Sequence, residues 1–314
     1  MDLSIAIISY NTRELLLACL QSVQERTAGL DYEVIVVDNA SCDGSVEAVR
    51  AQFPQVTVLA NSENGGFAKG CNQAAAVSSG RHLLFLNSDT VMQSRTLRTM
   101  VQCLDQHLDI GVASCLQRVG HGRVLRSCFP FPSIRDHVRH SEDLPVAIRR
   151  MVGVIQPMDF TESQDVEWAN GACLMIRAAL FARLGGMDER FFMYFEDVDL
   201  CRRVQLMGYR VRHVAEGDVV HLVGRSSCAN RNGLNKQWEL SRIRYVEKHF
   251  AQPRRALMKG WIALGVMRKL IATACSHAAD RPQQLQMMRT TLRRVWLGHD
   301  EHESASLYPA GSRG

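Results

Sequence analysis

A chain of 314 residues with 46% hydrophobic and 22% charged residues can bury a full core, which indicates a globular protein. The net charge of +5 is mild, and residues 1–250 contain no run of Arg and Lys interleaved with aromatic residues, so no nucleic-acid partner is expected. No stretch approaches the roughly 20 apolar residues that cross a bilayer, so no membrane span is predicted.

The cysteines and the first residues indicate the compartment. None of the ten cysteines forms a C-x-x-C pair or has zinc-ligand spacing, and several lie in apolar periodic stretches, where cysteine acts as a small hydrophobe. The chain begins Met1-Asp2, and its first apolar run spans only residues 3–8, so no signal peptide is predicted. We therefore expect a cytoplasmic protein in a reducing environment.

The N-terminal part of the chain alternates between strand and helix patterns. Short apolar runs predict strands, and stretches with apolar residues at helical spacing lie between them. Strands separated by helices of this length imply right-handed crossovers and an α/β fold, in which a mostly parallel, Rossmann-like sheet carries helices on both faces. The predicted strands cover residues 3–9, 33–37, 56–59, 83–86 and 110–115.

Polar residues cluster where these strands end. The clusters are Ser9-Tyr10-Asn11, Asp38-Asn39, Asn64-Gly65-Gly66 with Asn72 in the next helix, and Asn87-Ser88-Asp89. Each cluster alone is compatible with a turn or a helix cap. Four clusters at the carboxyl edge of one sheet predict a shared ligand crevice, because ligands bind at that edge in open α/β sheets.

The chemistry of these clusters suits a nucleotide. Asp38 can accept a hydrogen bond from a base imide or a ribose hydroxyl, and Asp89 can hold a divalent cation that substrate phosphates also coordinate. Gly65 and Gly66 allow close approach of the backbone to a ligand, or only a turn into a helix. The sequence has no P-loop and no G-x-G-x-x-G motif, so Mg²⁺ or Mn²⁺ is expected to neutralise the phosphates.

Residues 117–165 interrupt the alternation. They include Phe129-Pro130-Phe131-Pro132 and histidines without ligand spacing. A long irregular insertion in a compact domain is usually functional or disordered, and we predict a lid or an acceptor-recognition segment.

The second half returns to regular patterns, with a strand predicted over residues 166–176, a helix over 178–184 and a strand over 209–214. Between them, an aromatic stretch precedes Glu196 and Asp197 at the start of another predicted helix. Acidic residues there can simply stabilise a helix N-terminus. For Asp197 a general base is the preferred interpretation, because an aromatic wall can exclude water and keep the carboxylate moderately basic.

Six motifs in order resemble a known family over residues 3–250. They are Ser9-Tyr10-Asn11, residues 36–41 around Asp38, Asn64-Gly65-Gly66-Phe67-Ala68, Asn87-Ser88-Asp89, Trp168-Ala169-Asn170-Gly171-Ala172 and residues 195–200 around Asp197. Together they resemble family 2 inverting glycosyltransferases with the GT-A fold, and the nearest kin are bacterial rhamnosyltransferase-like enzymes.

The resemblance implies a role for each motif. Asp38 would contact the nucleotide base, Asp197 would be the catalytic base, and Asp89 would be the metal carboxylate of the D-x-D position, where Asn87 replaces the first Asp. His221, which by itself reads as structural, could complete the metal site. Substrate contacts are expected from Ser9, Tyr10, Asn11, Asn64, Gly65, Gly66, Asn72, Asn87, Ser88, Trp168, Gly171 and Glu196.

The predicted reaction moves a sugar from a nucleoside diphosphate to a hydroxyl of a glycan or lipid-linked acceptor in cell-surface polysaccharide assembly. The resemblance suggests L-rhamnose on deoxythymidine diphosphate, with a uridine-linked sugar as the alternative. A sugar nucleotidyltransferase would instead carry a basic glycine-rich loop after the first strand, which is absent. A non-catalytic nucleotide-binding or glycan-binding module would have no use for Glu196 and Asp197.

The predicted domains are a GT-A domain over residues 1–250 and a helical tail over 251–314. Within the first, 1–116 form the nucleotide-binding half, 117–165 the insertion and 166–250 the acceptor and catalytic half. The tail is basic, and Leu257, Trp261, Leu264 and Ile271 share one face at helical spacing. Such a helix can lie on the anionic inner face of the cytoplasmic membrane, or pack on the catalytic domain or a second subunit of a homodimer.

Overall fold

The structure is a computed structural model that describes residues 1–27, 29–93, 95–120, 122–133, 158–222, 231–274 and 281–297. The strands in these residues are β1 Leu3–Ser9, β2 Tyr32–Asp38, β3 Thr57–Ala60, β4 His82–Asn87, β5 Thr90–Met92, β6 Ile110–Arg118, β7 Val124–Leu125, β8 Cys128–Phe129, β9 Gln164–Val166, β10 Trp168–Ala169, β11 Cys173–Arg177 and β12 Arg210–His221. The helices are α1 Arg13–Arg26, α2 Ser45–Gln52, α3 Phe67–Val77, α4 Thr96–Gln106, α5 Ala178–Arg183, α6 Glu196–Leu206, α7 Arg231–His249, α8 Arg254–Ala274 and α9 Arg281–Leu297.

The chain forms two compact units. The first contains β1–β12 and α1–α6, and the second contains α7–α9. The first unit is built on a sheet with the strand order β3-β2-β1-β4-β11-β6-β12-β5, in which β7 pairs with β6 and β9 pairs with β12. A two-stranded sheet of β8 and β10 completes this unit.

The large sheet is mixed. Strands β1–β4 are parallel to one another, and β6 is parallel to β12. Strand β11 runs antiparallel between β4 and β6, and β5 and β9 run antiparallel to β12. The predicted α/β class with a mostly parallel sheet is confirmed, with antiparallel strands inserted in its second half.

Helices cover both faces of the sheet because alternate residues of a strand point to opposite sides. On one face, the fully buried Leu3, Ile5 and Ile7 of β1 join the core together with apolar residues of α1, α2 and α4. On the other face, Ile8 lies against Gly70 of α3. Burying one such side chain stabilises the fold by about 1.5–3 kcal/mol, which accounts for the nearly continuous apolar sequence of β1.

The observed strands differ from the predicted ones mainly in where they begin and end. The strand predicted over residues 166–176 is three short strands, because β9 pairs with β12, β10 pairs with β8, and only β11 enters the centre of the large sheet. Strand β5 was not predicted, and β12 continues past residue 214 to His221. Both differences bear directly on the candidate site.

The second unit has its own apolar core. Ile243 and Val246 of α7 pack with Met258 and Ile262 of α8 and with further buried residues of α8 and α9. An ion pair of 2.8 Å between Lys259 and Glu247 also links α8 to α7. Within the described part of the chain, no helix combines the length and apolar character needed to span a bilayer.

Candidate functional site

Strand register brings the first polar clusters to one edge. Ser9 is paired with Asp38 across β1 and β2, and Ile8 is paired with Asn87 across β1 and β4, so the ends of all three strands are level. The Thr12 hydroxyl lies 2.9 Å from both the Ser9 and Ser88 hydroxyls, and all three residues are buried. This buried chain of hydroxyls fixes the two loops relative to each other. Ser9 and Ser88 were predicted as site residues, whereas Thr12 was not.

The buried Asp38 carboxylate has one bonded oxygen and one without a partner in the described part of the chain. Its side chain is only 2% exposed, and its Oδ2 accepts the Ser41 N–H at 2.8 Å. Its Oδ1 is buried and has no hydrogen-bond partner among the described residues. Burying a carboxylate oxygen without a partner is costly, so this atom marks a position where a donor group from a ligand would be favourable.

Asn11 shapes the loop next to Asp38 through its own contacts. Its N–H donates to the Ser41 hydroxyl at 2.8 Å, and its Oδ1 accepts the Cys42 N–H at 2.8 Å. Asn11 and Ala40 both have positive φ, 51° and 62°, which non-glycine residues adopt only under local constraint. Tyr10, beside Asn11, is half-buried.

Asn64, Gly66 and Asn72 hold the loop that precedes Asp197. The N–H of Gly66 donates to Asn64 Oδ1 at 3.0 Å, and the Phe67 N–H donates to the Phe192 carbonyl at 2.7 Å. A Cβ on Gly66 would lie 2.3 Å from that same carbonyl oxygen, and its φ is +87°. The close approach that requires glycine at position 66 is therefore to the protein's own backbone, whereas at Gly65 a Cβ would meet only the Lys69 side chain.

Asn72 makes the second link to this loop. Its Oδ1 accepts the Met187 N–H at 2.8 Å, and its Nδ2 donates to the Met187 carbonyl and to Glu189, each at 2.9 Å. Asn39, which sequence reasoning left without a role, donates from its buried amide to the Gly66 carbonyl at 3.2 Å. Its position directly after Asp38 was the only signal that could have indicated this role.

Strands β5 and β12 bring Asp89 and His221 together across 132 residues of sequence. Thr90 is paired with His221, and the Leu222 N–H donates to the Asp89 carbonyl at 2.9 Å. The His221 Nε2 and the Asp89 Oδ1 are 3.2 Å apart, and both residues are buried. Two ligands of one octahedral ion, each about 2.1 Å from it, lie about 3 Å apart, so this spacing fits a shared divalent cation.

The two side chains also offer suitable ligand atoms. A carboxylate oxygen binds Mg²⁺ and Mn²⁺, and an imidazole nitrogen binds divalent first-row transition metals. Among the described residues, no cluster of three or more His, Cys, Asp or Glu side chains has metal-site geometry. The pair therefore fits a cation that takes its remaining ligands from water and substrate phosphates, as Mg²⁺ commonly does.

Asp197 lies in the first turn of α6, shortly after two non-glycine residues whose backbone φ angles are positive. Tyr194 and Phe195 both have φ of 66°, a left-handed conformation that costs of order 1–3 kcal/mol at each bulky residue. The Asp197 Oδ2 accepts the Gly171 N–H at 2.9 Å, and its Oδ1 accepts the Val198 N–H at 2.8 Å. Burial raises the pKa of the Asp197 carboxyl to about 6, although these backbone bonds act to lower it.

The neighbouring acids differ from Asp197. Glu196 is 5% exposed, and burial, followed by the charge of Asp197, holds its pKa well above the ordinary value. Its Oε2 has no hydrogen-bond partner among the described residues. Asp199 is fully buried and forms an ion pair of 2.7 Å with Arg203, as the i,i+4 spacing predicts. Asp197 is thus the acid of this helix turn that is both partly exposed and ionised at neutral pH.

Trp168 lies three residues before Gly171 and forms part of an aromatic pair. Its ring stacks on Phe129 with a centroid distance of 4.8 Å, and its Nε1 donates to the Pro130 carbonyl at 2.8 Å. The Arg126 guanidinium lies 4.7 Å from the Phe129 ring. Helix α6 packs against β10, so this pair belongs to the same part of the first unit as Asp197.

Known glycosyltransferases are similar to this chain in sequence. The family described as Glycosyl transferase family 2 matches residues 4–145. The chain is 27% identical over 292 residues to the N-acetylglucosaminyl-diphospho-decaprenol L-rhamnosyltransferase of Mycobacterium tuberculosis, a match that covers 88% of this chain and 93% of the relative. It is also 28% identical over 176 residues to the rhamnosyltransferase WbbL of Escherichia coli, covering 53% and 62%.

Solved structures share the fold at lower identity. A mannosyltransferase of Pyrobaculum calidifontis in complex with GDP-Man and Mn²⁺ has a TM-score of 0.58 at 18% identity, covering 95% of this chain and 88% of that one. TarS of S. aureus, residues 1–349 in complex with UDP-GlcNAc, has a TM-score of 0.57 at 18% identity, covering 94% and 82%. The chain is therefore similar to family 2 glycosyltransferases over residues 4–145 and to bacterial rhamnosyltransferases over most of its length, and it has the GT-A fold of these solved structures.

Proposed function

We propose that this glycosyltransferase moves a sugar from a nucleoside diphosphate to a hydroxyl of a glycan or lipid-linked acceptor, with inversion at the anomeric carbon. The observation that carries the proposal is the environment of Asp197, whose carboxylate has two backbone donors and a pKa raised by burial to about 6. Such a carboxylate is ionised at neutral pH and more basic than an ordinary Asp, as proton removal from a hydroxyl requires.

The donor nucleotide would lie along the ends of β1, β2 and β4. The unpaired Oδ1 of Asp38 supports recognition of a base imide or a ribose hydroxyl. Ser9, Tyr10, Asn11, Asn87 and Ser88 would line the same edge. Asn64, Gly65, Gly66 and Asn72 would act on substrate mainly by holding the loop before Asp197.

Asp89 and His221 would hold the divalent cation, Mg²⁺ or Mn²⁺. When bound, the cation would neutralise the charge of the leaving nucleoside diphosphate. Asp197 would take the proton from the acceptor hydroxyl while the hydroxyl oxygen bonds to the anomeric carbon and the bond to the diphosphate breaks. This single displacement inverts configuration and needs no protein nucleophile.

Glu196, Trp168 and Gly171 would complete the acceptor side. Gly171 holds Asp197 through its N–H, and the partly exposed Trp168 ring offers an apolar face to a sugar. Glu196 is buried and would be uncharged. It would therefore affect the substrate indirectly, by helping to position Asp197.

The names of the relatives support an L-rhamnosyl donor and a polyprenyl-diphosphate-linked acceptor in cell-surface polysaccharide assembly. With L-rhamnose, the activating nucleotide would be deoxythymidine diphosphate, with uridine diphosphate as the alternative. A lipid-linked acceptor would place the enzyme at the cytoplasmic face of the inner membrane.

Two measurements test the proposal. Turnover of candidate nucleotide-sugars with Mg²⁺ or Mn²⁺ should fall about 10²–10⁴-fold in Asp197→Asn, the usual contribution of a general base. An Asp197→Asn enzyme that transfers sugar as fast as wild type would remove the base assignment. Thermal-shift titration should show a larger stabilisation by deoxythymidine diphosphate than by uridine diphosphate, and equal or absent shifts would overturn the thymidine assignment.

A further inference from the structure

Helix α8 has two apolar faces, and only one of them is used in the core of its unit. Met258, Ile262 and Val266 are buried against α7 and α9. On the opposite side of the same helix, Leu257, Leu264, Met267 and Ile271 are 61%, 45%, 47% and 60% exposed. The spacing of seven residues between Leu257, Leu264 and Ile271 keeps these side chains in one row.

This exposed row is here called the outer face of α8. It leaves four large apolar side chains in contact with water, which is unfavourable unless a partner covers them. Single exposed apolar residues are normal, but a contiguous row on one helix usually marks an interaction surface. The half-buried Trp261 borders the row, and Arg254 and Arg268 are exposed beside it.

Charge identifies the partner. Helices α8 and α9 contain nine Arg or Lys residues and no Asp or Glu, and five of these cations are exposed: Arg254, Arg268, Lys269, Arg289 and Arg293. An apolar row flanked by cations, with tryptophan at its border, suits an interface that is apolar inside and anionic at its surface. In a dimer formed through this face, the positively charged helices of the two copies would repel each other.

We propose that the outer face of α8 docks the enzyme on an anionic lipid bilayer, with Leu257, Leu264, Met267 and Ile271 entering the headgroup boundary. This inference deepens the proposed function, since its use in the cell rests on a lipid-linked acceptor. The surface itself is defined by exposure and charge within α8 and α9 alone.

The test is co-sedimentation of the full-length protein with vesicles of phosphatidylglycerol and phosphatidylcholine, compared with pure phosphatidylcholine, at low and high salt. Binding should require phosphatidylglycerol and weaken with salt, because salt screens the cations. The double variant Leu264→Gln with Ile271→Gln should lower the vesicle partition coefficient at least about tenfold. The double variant Arg254→Gln with Arg268→Gln should lower it about fivefold for each cation that is removed.

Matched controls lie on the other unit. Leu206→Gln removes a leucine of α6 that is 69% exposed, and Arg183→Gln removes an exposed cation of α5. Neither control should change vesicle binding, and all variants should keep the wild-type melting temperature because the substituted side chains are exposed. Analytical ultracentrifugation without lipid should give the same mass for Leu264→Gln with Ile271→Gln as for wild type.

Wild-type protein that stays in the supernatant would overturn the proposal, as would variants that bind like wild type. A change from dimer to monomer in the double leucine and isoleucine variant would assign the outer face to a second copy instead. Transfer to a soluble acceptor analogue without vesicles separates the two proposals: loss of docking with full turnover contradicts only the lipid surface, whereas docking without any turnover contradicts only the proposed reaction.

Discussion

The environment of Asp197 predicts where activity is lost on acidification. With a pKa of about 6 the carboxylate is about nine-tenths ionised near pH 7 and about one-tenth ionised near pH 5. Transfer that depends on the ionised form should therefore fall about tenfold over this range. With an ordinary aspartate pKa of 3.8, the fall over the same range would be less than about a tenth.

The assay is the pH profile of kcat/KM for the donor and acceptor that support turnover, at saturating divalent cation. Glu196→Gln is the matched variant, because Glu196 is already protonated where Asp197 titrates and its removal should leave the midpoint near 6. A wild-type profile that is flat down to about pH 5 would refute the assignment of a buried, raised-pKa base. A midpoint that drops in Glu196→Gln would show that a charged Glu196, and not burial, raises the pKa of Asp197.

Three further predictions concern neighbouring parts of the site. Gly66→Ala should cost about 2–4 kcal/mol, because it adds a strained positive φ and a clash with the Phe192 carbonyl, and should lower the melting temperature about 5–15 °C, whereas Gly65→Ala should melt like wild type. Asp89→Asn should weaken binding of Mn²⁺ in the presence of nucleoside diphosphate at least about tenfold by calorimetry, and unchanged affinity would remove Asp89 from the metal site. Glu196→Gln should raise the melting temperature at about pH 8 and not at about pH 4: a raised folded pKa means that the native state loses stability as pH rises above the unfolded value of 4.5, and glutamine cannot ionise. Equal shifts at both pH values would contradict a buried protonated Glu196.

Sequence predicts an element of this fold well where a strong local pattern, such as a continuous apolar run, marks it. Strand β1 is apolar at nearly every position and was predicted at its observed bounds, because both of its faces are buried under helices. Strand β5 has three residues, too few to show any period, and its existence depends on pairing with β12. The direction of β11 depends likewise on its neighbours β4 and β6, which no local pattern reveals.

The same distinction applies within the candidate site. Sequence predicted Asp38, Asp89 and Asp197 as site residues because carboxylates after apolar strands lie at the ligand-binding edge of an α/β sheet, and because an aromatic stretch precedes Asp197. It could not identify the Gly66 and Asn72 contacts, since their partners, Phe192 and Met187, lie more than a hundred residues away and are bound through backbone atoms.

The contacts to Phe192 and Met187 separate the motif residues into two groups with different proposed roles. Asp38 Oδ1 and His221 Nδ1 are buried and have no hydrogen-bond partner among the described residues, and His221 Nε2 lies 3.2 Å from Asp89 Oδ1. Gly66, which allows the Phe67 N–H to reach the Phe192 carbonyl, and Asn72, which bonds to Met187, instead hold the loop that leads into α6, which carries Asp197 in its first turn. Because a base misplaced by about 1 Å can cost about 10²-fold in rate, a glycine and an asparagine that hold this loop can be as necessary for the proposed transfer as residues in contact with substrate.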